Sequence, residues 1–310
     1  MKKVLIDTDC GVDDCCAIVL TLCSKRAELV AITCVDGNTT VDDVCNNVGR
    51  LLEWCGREDI PFYRGAETNL LHKHIDRYVG NGTDGFGDPD IPKSKLKPAS
   101  ERHAALEIID LAKKYGKELD IITIGPLTNL AIAVTLEPKL FEMIGDVYMM
   151  IGSETCLGNT TPMGEFNCVY DAEAAKIVFD KVVEANIISW NLTINNLVDW
   201  NVYHKIIKLN KYGELIGLTY KRLNDEMKKE GNFTGWCIPD PLCAMCYLYP
   251  EIVTKVAVRE TGICLDGIAR GATMVDRWGE FKLGNKQRWI KAVNQELLAE
   301  LLIKTIEEQN

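Results

Sequence analysis

Positive charge is in deficit: 35 Lys and Arg stand against 45 Asp and Glu, a formal charge of −10, with a pI near 5.1. That balance excludes a sequence-independent nucleic-acid binder, which needs a basic face, and an anionic membrane surface as partner. No uncharged run approaches the ~18 residues of a membrane-spanning helix. The start, Met1-Lys2-Lys3 and then Val4-Leu5-Ile6, meets Asp7 and Asp9 at once. It lacks the longer apolar stretch and small-residue cleavage site of an export signal, so the expected location is cytoplasmic. Linkers, low-complexity tracts and internal repeats are also missing, and residues 1–310 are expected to form a single domain. Cys243 and Cys246 make one CxxC without a second pair, which is weak evidence for zinc, and both fit one buried helix face. The thirteen cysteines are an odd number scattered through helical and strand patterns. In a chain of this size they read as reduced thiols, most of them small core residues.

Apolar residues are plentiful, at 47% hydrophobic with 26% charged, so the chain can bury a large core without disulfide or metal staples. Short apolar runs alternate with helical patterns. Strands are expected over 4–9, 29–35, 61–63, 119–124, 147–151 and 187–190. Helices are expected over 14–24, 41–55, 101–115 (with Ser100 as its N-cap), 127–135 and 171–179. Alternation with this spacing predicts an α/β fold: an open, mostly parallel, Rossmann-like sheet with helices on both faces. Residues 65–100 are polar, Gly-rich and aperiodic, and a loop of that length in a compact domain is usually functional or a lid. The 200–236 region reads as a second elaboration around a site.

In open parallel sheets, ligands bind beyond the carboxyl ends of the strands. Polar residues gather at those ends: Asp7 and Asp9, then Asn38, then Thr128 and Asn129 beyond Ile124. Asn159, Glu165 and Asn167 follow the 147–151 strand, and Asp240 precedes an apolar helix. The densest cluster is Asp7-Thr8-Asp9-Cys10-Gly11-Val12-Asp13-Asp14. Carboxylates so crowded repel one another without a counter-ion, and a hard divalent cation, Ca²⁺ or Mg²⁺, resolves the conflict. The dipole of the following helix accounts for Asp13 and Asp14 at its start, but not for Asp7 and Asp9 at a strand end.

The stretch Asp7-Thr8-Asp9-x-Gly11-x-Asp13-Asp14 resembles the N-terminal signature of the inosine–uridine-type nucleoside hydrolases. The resemblance continues through Gly37-Asn38, Ile124-Gly125-Pro126-Leu127-Thr128-Asn129, Gly158-Asn159 and Glu165-Phe166-Asn167. Asp240-Pro241-Leu242 and the run from Arg270 to Asp276 complete it. It implies the nucleoside hydrolase fold and cleavage of the N-glycosidic bond of ribonucleosides to base and ribose, through an oxocarbenium-like species. It implies Ca²⁺ held by Asp9, Asp14, Asp240 and the Ile124 carbonyl, with Asp9 as general base on the metal-bound water. Asp13, Asn38, Asn159, Glu165, Asn167 and Asp240 would hold the ribose, excluding 2′-deoxy substrates. The small-molecule ribonucleoside is the implied partner, and a homodimer or homotetramer the implied assembly. Asp7 fits an orienting role, hydrogen-bonded to turn amides, and Asn129 a structural one at its helix start.

The sequence departs from the family pattern where many members carry histidines. Pro239 precedes Asp240, and Asn81 stands in the Gly-rich loop; Cys10 replaces a common proline. Only His72, His74, His103 and His204 exist, and His72 and His74 belong to the long loop. Asn81 and Trp236 are the candidate base-binding residues; Trp236 either stacks on the base or packs in the core. Two rival functions stay open. One is a ribonucleoside-binding protein with weak or no turnover, suggested by the missing histidines. The other is a Mg²⁺-dependent phosphohydrolase with Asp7 as nucleophile, which leaves Asp13 and Asp14 without a reason.

Overall fold

The computed structural model describes residues 1–231 and 233–309. Its sheet contains β1 (Lys2–Thr8), β2 (Ala27–Cys34), β3 (Phe62–Arg64), β4 (Leu119–Thr123), β5 (Val147–Met150), β6 (Asn186–Ile188), β7 (Val253–Ile263), β8 (Thr273–Val275) and β9 (Lys286–Val293). The spatial order is β3-β2-β1-β4-β5-β6-β9-β7-β8. Neighbours from β3 to β9 run parallel, and β7 and β8 are added antiparallel at one end. The helices are α1 (Val12–Cys23), α2 (Val41–Cys55), α3 (Ala104–Tyr115), α4 (Thr128–Leu136), α5 (Leu140–Met143), α6 (Phe166–Tyr170), α7 (Ala172–Lys181), α8 (Trp190–Ile194), α9 (Trp200–Ile206), α10 (Lys211–Glu230), α11 (Pro239–Leu248) and α12 (Gln295–Glu307).

Burial on both faces explains why β1 and β4 read as unbroken apolar runs. Val4 and Ile6 point into one core, with α1, α2, α11 and α12; Leu5 points into the other, with α3, α4 and α7. The same alternation splits Ile122 from Ile121 on β4, as the period of two requires. The α/β expectation therefore holds, and the predicted elements up to residue 188 are present with shifted ends.

Two of those shifts matter. The helix expected from residue 101 begins at Ala104, because His103 and not Ser100 caps it: His103 Nδ1 accepts the Ala105 N–H at 3.1 Å. The strand expected over 187–190 ends at Ile188, and Trp190 opens α8 behind a Ser189 cap. Beyond that point the β7–β9 strands and α12 were not anticipated. Residues 65–100 stay irregular apart from one short 3₁₀ turn, Val79–Asn81. Arg50 of α2 pins this loop through Asp84 (2.8 Å) and the carbonyls of Pro89 and Ile91.

At the junction between the parallel strands and the antiparallel addition, a buried side-chain amide reinforces the pairing of β6 with β9. Gln287 of β9 accepts the Ala185 N–H at 2.7 Å and donates to the Val182 carbonyl at 3.2 Å, both in the turn between α7 and β6. Gln287→Leu strips both backbone groups of their partner and is expected to cost about 1–3 kcal/mol of stability. Urea denaturation checks this, and an unchanged midpoint would show that the tie is dispensable.

Candidate active site

The chain leaves β1 for β2 and β3 on one side and returns to β4 on the other. A crevice opens at such a switch point, beyond the carboxyl ends of the strands. Asp9 lies there with none of its surface exposed. Backbone closes on it from two sides. A Cβ at Gly37 would come within 2.2 Å of Asp9 Oδ2, and one at Gly125 within 2.9 Å of Asp9 Oδ1. Only glycine fits at either place. The Asn38 N–H donates to Asp9 Oδ2 at 2.7 Å, and Asp9 Oδ1 is buried without a donor.

Asp14 is fixed by its own turn. Its Oδ2 accepts the Gly11 N–H at 3.0 Å, and Thr8 Oγ1 donates to its Oδ1. The Asn38 side chain reaches Asp14 Oδ2 at 3.4 Å, and Asn81 Nδ2 in turn donates to Asn38 Oδ1 at 2.9 Å. Asp240 arrives from the first turn of α11, behind Pro239 at the first helical position. Carboxylate oxygens of Asp13, Asp14 and Asp240 lie within 4.8 Å of one another, the convergence that a metal-binding set needs.

Electrostatics follows from the crowding. Burial, then the Asp14 charge, pushes the Asp9 carboxyl well above the usual range. Burial does the same to Asp240, with Asp13 and Asp14 adding repulsion. Asp13 is raised to about 7 by burial and then by Asp14. Burial also lifts Asp7 to about 7 and Glu165 to about 7, in each case against the pull of hydrogen-bond donors.

A cavity of about 690 Å³ lies over this group. Asp13, Asn38, Asn81, Ile124, Asn159, Glu165, Asn167 and Asp240 all line it, so one space gathers most of the sequence-expected site residues. Glu165 caps α6: its carboxylate takes the amides of Asn167 (2.9 Å) and Gly152 (2.8 Å). Asn167 Nδ2 donates to the carbonyls of Ile124 (3.1 Å) and Met150 (3.0 Å). Asn159 is exposed on the loop before α6, where its Oδ1 accepts the Phe166 N–H at 2.9 Å. Of the four histidines, only His74 touches the cavity, at its rim.

Asp7 does not face the cavity. Its Oδ1 accepts Thr33 Oγ1 (2.6 Å) and Asn129 Nδ2 (2.8 Å), and the carboxylate is fully buried. Its partners are thus side chains from β2 and α4, not the turn amides expected from sequence. Like Asp9 and Asp14, Asp7 is not itself a wall of the cavity, and its bonds to Thr33 and Asn129 give a nucleophilic role no support. Asn129 is structural, as expected: it also donates to the Cys34 carbonyl and accepts the Ala66 N–H.

Trp236 requires a correction. It is fully buried, packed against Tyr203 (5.2 Å) and Tyr220 (5.3 Å), and its backbone pairs with Val198. It is not a wall of the cavity. The side chain of a bridge residue follows the pairing register, and this one points inward. The aromatic residues that do line the cavity are Tyr78, Phe166, Trp190 and Phe233. Sequence reasoning missed Trp190 because the β6 strand was extended over it; a strand ending at 188 would have put Trp190 among the strand-end residues. Arg77 was also missed. It donates to Asp36 Oδ1 (2.7 Å) and the Gly37 carbonyl (2.9 Å), holding the rim loop against the turn that carries Asn38.

The family model for inosine-uridine preferring nucleoside hydrolases matches residues 4–300. The chain belongs to this family. Among relatives, it is 34% identical over 259 residues to the inosine-uridine preferring nucleoside hydrolase of Crithidia fasciculata, covering 83% of this chain and 82% of that protein. It is 31% identical over 289 residues to a pyrimidine-specific ribonucleoside hydrolase of Salmonella typhi, covering 91% and 90%. Among solved structures, an inosine-guanosine nucleoside hydrolase superposes with a TM-score of 0.90 at 31% identity, covering 98% of each chain. The purine-preferring ribonucleoside hydrolase from Gardnerella vaginalis gives 0.90 at 26% identity, covering 99% and 98%. This nucleoside hydrolase is therefore a glycosidase acting on N-glycosyl bonds of ribonucleosides.

Two buried carboxyls and the half-buried Asp13 give the nucleoside hydrolase a pH signature in the absence of cations. Asp7, Asp13 and Glu165 each have a folded pKa near 7, above the unfolded values of about 4. Between those limits the folded chain keeps protons that the unfolded chain releases, so stability falls as pH rises through that window. Melting in excess chelator is expected at a lower temperature at pH 7.5 than at pH 5.5, with added divalent cation opposing the loss. A higher melting temperature at pH 7.5 under chelator would show that these carboxyls are ionised at low cost.

Proposed function

We propose that the chain hydrolyses ribonucleosides with Ca²⁺ held in the carboxylate group and Asp9 as general base. The single observation that carries this reading is Asp9 Oδ1, buried and without a donor beside Asp14. An ionised oxygen left in that state is costly, and a cation is the partner that the neighbouring groups can hold. Asp9, Asp14, Asp240 and the Ile124 carbonyl would supply its ligands. An all-oxygen set of carboxylates and a carbonyl suits a hard cation and not zinc or copper. The Ile124 carbonyl accepts one hydrogen bond, from Asn167, and keeps a second lone pair.

A bound cation supplies positive charge that lowers the pKa of a coordinated water. With the cation held there, Asp9 would take the proton from the attacking water, and the Asn38 N–H on its Oδ2 keeps the plane of the carboxylate in place. Asp13, Asn38, Asn159, Glu165, Asn167 and Asp240 hold the ribose, with Asn81 next to Asn38 toward the base. The acidic wall stabilises positive charge as it develops on the sugar. Neither Asn81 nor Pro239 is an acid for the departing base, which leaves His74 at the cavity rim or the binding of the base itself to lower that barrier. The remaining parts of the reading are a single domain over 1–310, a homodimer or homotetramer, and a cytoplasmic location.

A nucleoside panel assayed for free ribose, with and without chelator, tests the core of the proposal. Ribose release that survives complete chelation would overturn the cation. Asp9→Asn is expected to fold and to lose about 10²–10⁴ in kcat; a near wild-type rate on inosine or uridine removes Asp9 as base. Full Ca²⁺ occupancy in Asp14→Ala/Asp240→Ala would refute the ligand set.

A further inference from the structure

The cavity has two chemically different ends. Residues beyond β1, β4 and β5 supply Asp13, the Ile124 carbonyl, Glu165 and Asn167. The next strand, β6, brings Trp190 to the same space. Three strand steps separate β1 from β6, roughly 14 Å at the usual spacing, enough to set a sugar at one end and its base at the other. Trp190 is held firmly. Its backbone N–H donates to the Gly152 carbonyl at 3.0 Å, and the adjacent Asn191 side chain bonds Ser153 (2.8 Å) and Thr155 (2.6 Å).

The Trp190 ring meets Phe233 edge-on, at 6.4 Å between centroids and 75° between planes. Both rings are half-buried, in contrast to the sealed trio of Tyr203, Tyr220 and Trp236. Leu223 and Met227 of α10 continue this wall. Two nearly perpendicular aromatic faces form a corner in which a planar heterocycle lies flat on one ring and presents its edge to the other.

We propose that Trp190 and Phe233 form the nucleobase subsite, which grips the base by its face and so binds purine ribosides more tightly than pyrimidine ribosides. The inference rests on the nucleoside hydrolase reading and adds the residues that set base preference. Stacking is indifferent to the groups on a base's edge, because every base has a π-face. A bicyclic purine covers more of both rings than a pyrimidine does, and gains accordingly from the apolar area buried.

Steady-state kinetics and tryptophan emission test this with inosine, uridine, hypoxanthine and ribose. In the wild type, KM is expected to be several-fold lower for inosine than for uridine, and hypoxanthine should quench emission while ribose does not. Trp190→Leu should raise KM for inosine by about 10-fold or more, bring it close to that for uridine and abolish the quench. Its ribose inhibition constant should stay within a factor of about two, since the sugar end is untouched. Trp190→Phe should recover most of the loss. An unchanged KM for inosine in Trp190→Leu, or a ribose constant that rises in step with KM, overturns the proposal. If Trp190→Leu does not fold, Phe233→Leu decides by the same two constants. A wild type that releases no ribose from any nucleoside defeats the hydrolase reading instead. Hypoxanthine quenching, lost in Trp190→Phe/Phe233→Leu, would still report on the subsite in that case.

Discussion

Everything at the crevice depends on the mutual repulsion of carboxylates where α11 brings Asp240 against the turn between β1 and α1. Asp9, Asp14 and Asp240 are each at most 3% exposed, where charge is poorly screened and each neighbour raises the cost of the next ionisation. The fold does not relieve this by distance. It uses glycine at 37 and 125 to bring backbone against Asp9, and it spends the Asn38, Gly11 and Thr8 donors on one carboxylate or another. What remains is an electrostatic demand for positive charge. That demand is met twice in the proposed chemistry, first by a cation and then by the sugar in its transition state.

Around that group, the scaffold fixes the strand ends through side chains that never reach substrate. Asp7, Thr33 and Asn129 join β1, β2 and α4 just beneath the site. On the rim, Arg77 joins the long loop to Asp36, and the Tyr170 hydroxyl from α6 bonds the same carboxylate. Asp36 thus links the loop, the β2–α2 turn and the α6 segment that bears Asn167. Three parts of the cavity wall have one common anchor, and their relative positions follow from it.

Much of this was legible in the chain itself, for a physical reason. β1 and β4 are buried on both faces, so composition alone marks them, and parallel strands place function at their ends. Asp9 and Asn38 drew attention because they follow strand ends, where the dipole of a helix gives no reason for them, and the family resemblance added Asp14 and Asp240. The antiparallel β7–β9 addition was not, since β7 is only partly buried along most of its length and its pattern is weak. Trp190 was lost to a boundary error of two residues. Trp236 was misplaced for a different reason: nearness in sequence to Asp240 does not fix the side on which a side chain points. At Trp236 the pairing with Val198 sends the indole into the core.

The core placement of Trp236 also explains how an aromatic corner can exist elsewhere. The ring trio of Tyr203, Tyr220 and Trp236 lies in the same core cluster as the residues of α1 and α11, so α9, α10 and the bridge at Trp236 are anchored to the core. Phe233 lies just before the bridge at Trp236, while Trp190 is set by β6 and its cap. Two independently anchored segments therefore present the facing rings, and a ring that is already fixed loses little freedom when a base settles on it. Where Asn81 and Pro239 stand at the positions that many family members give to histidine, a rigid surface that favours the flat, departing heterocycle is a compensation the fold can offer. The sealed aromatics supply the rigidity, and the half-buried ones use it.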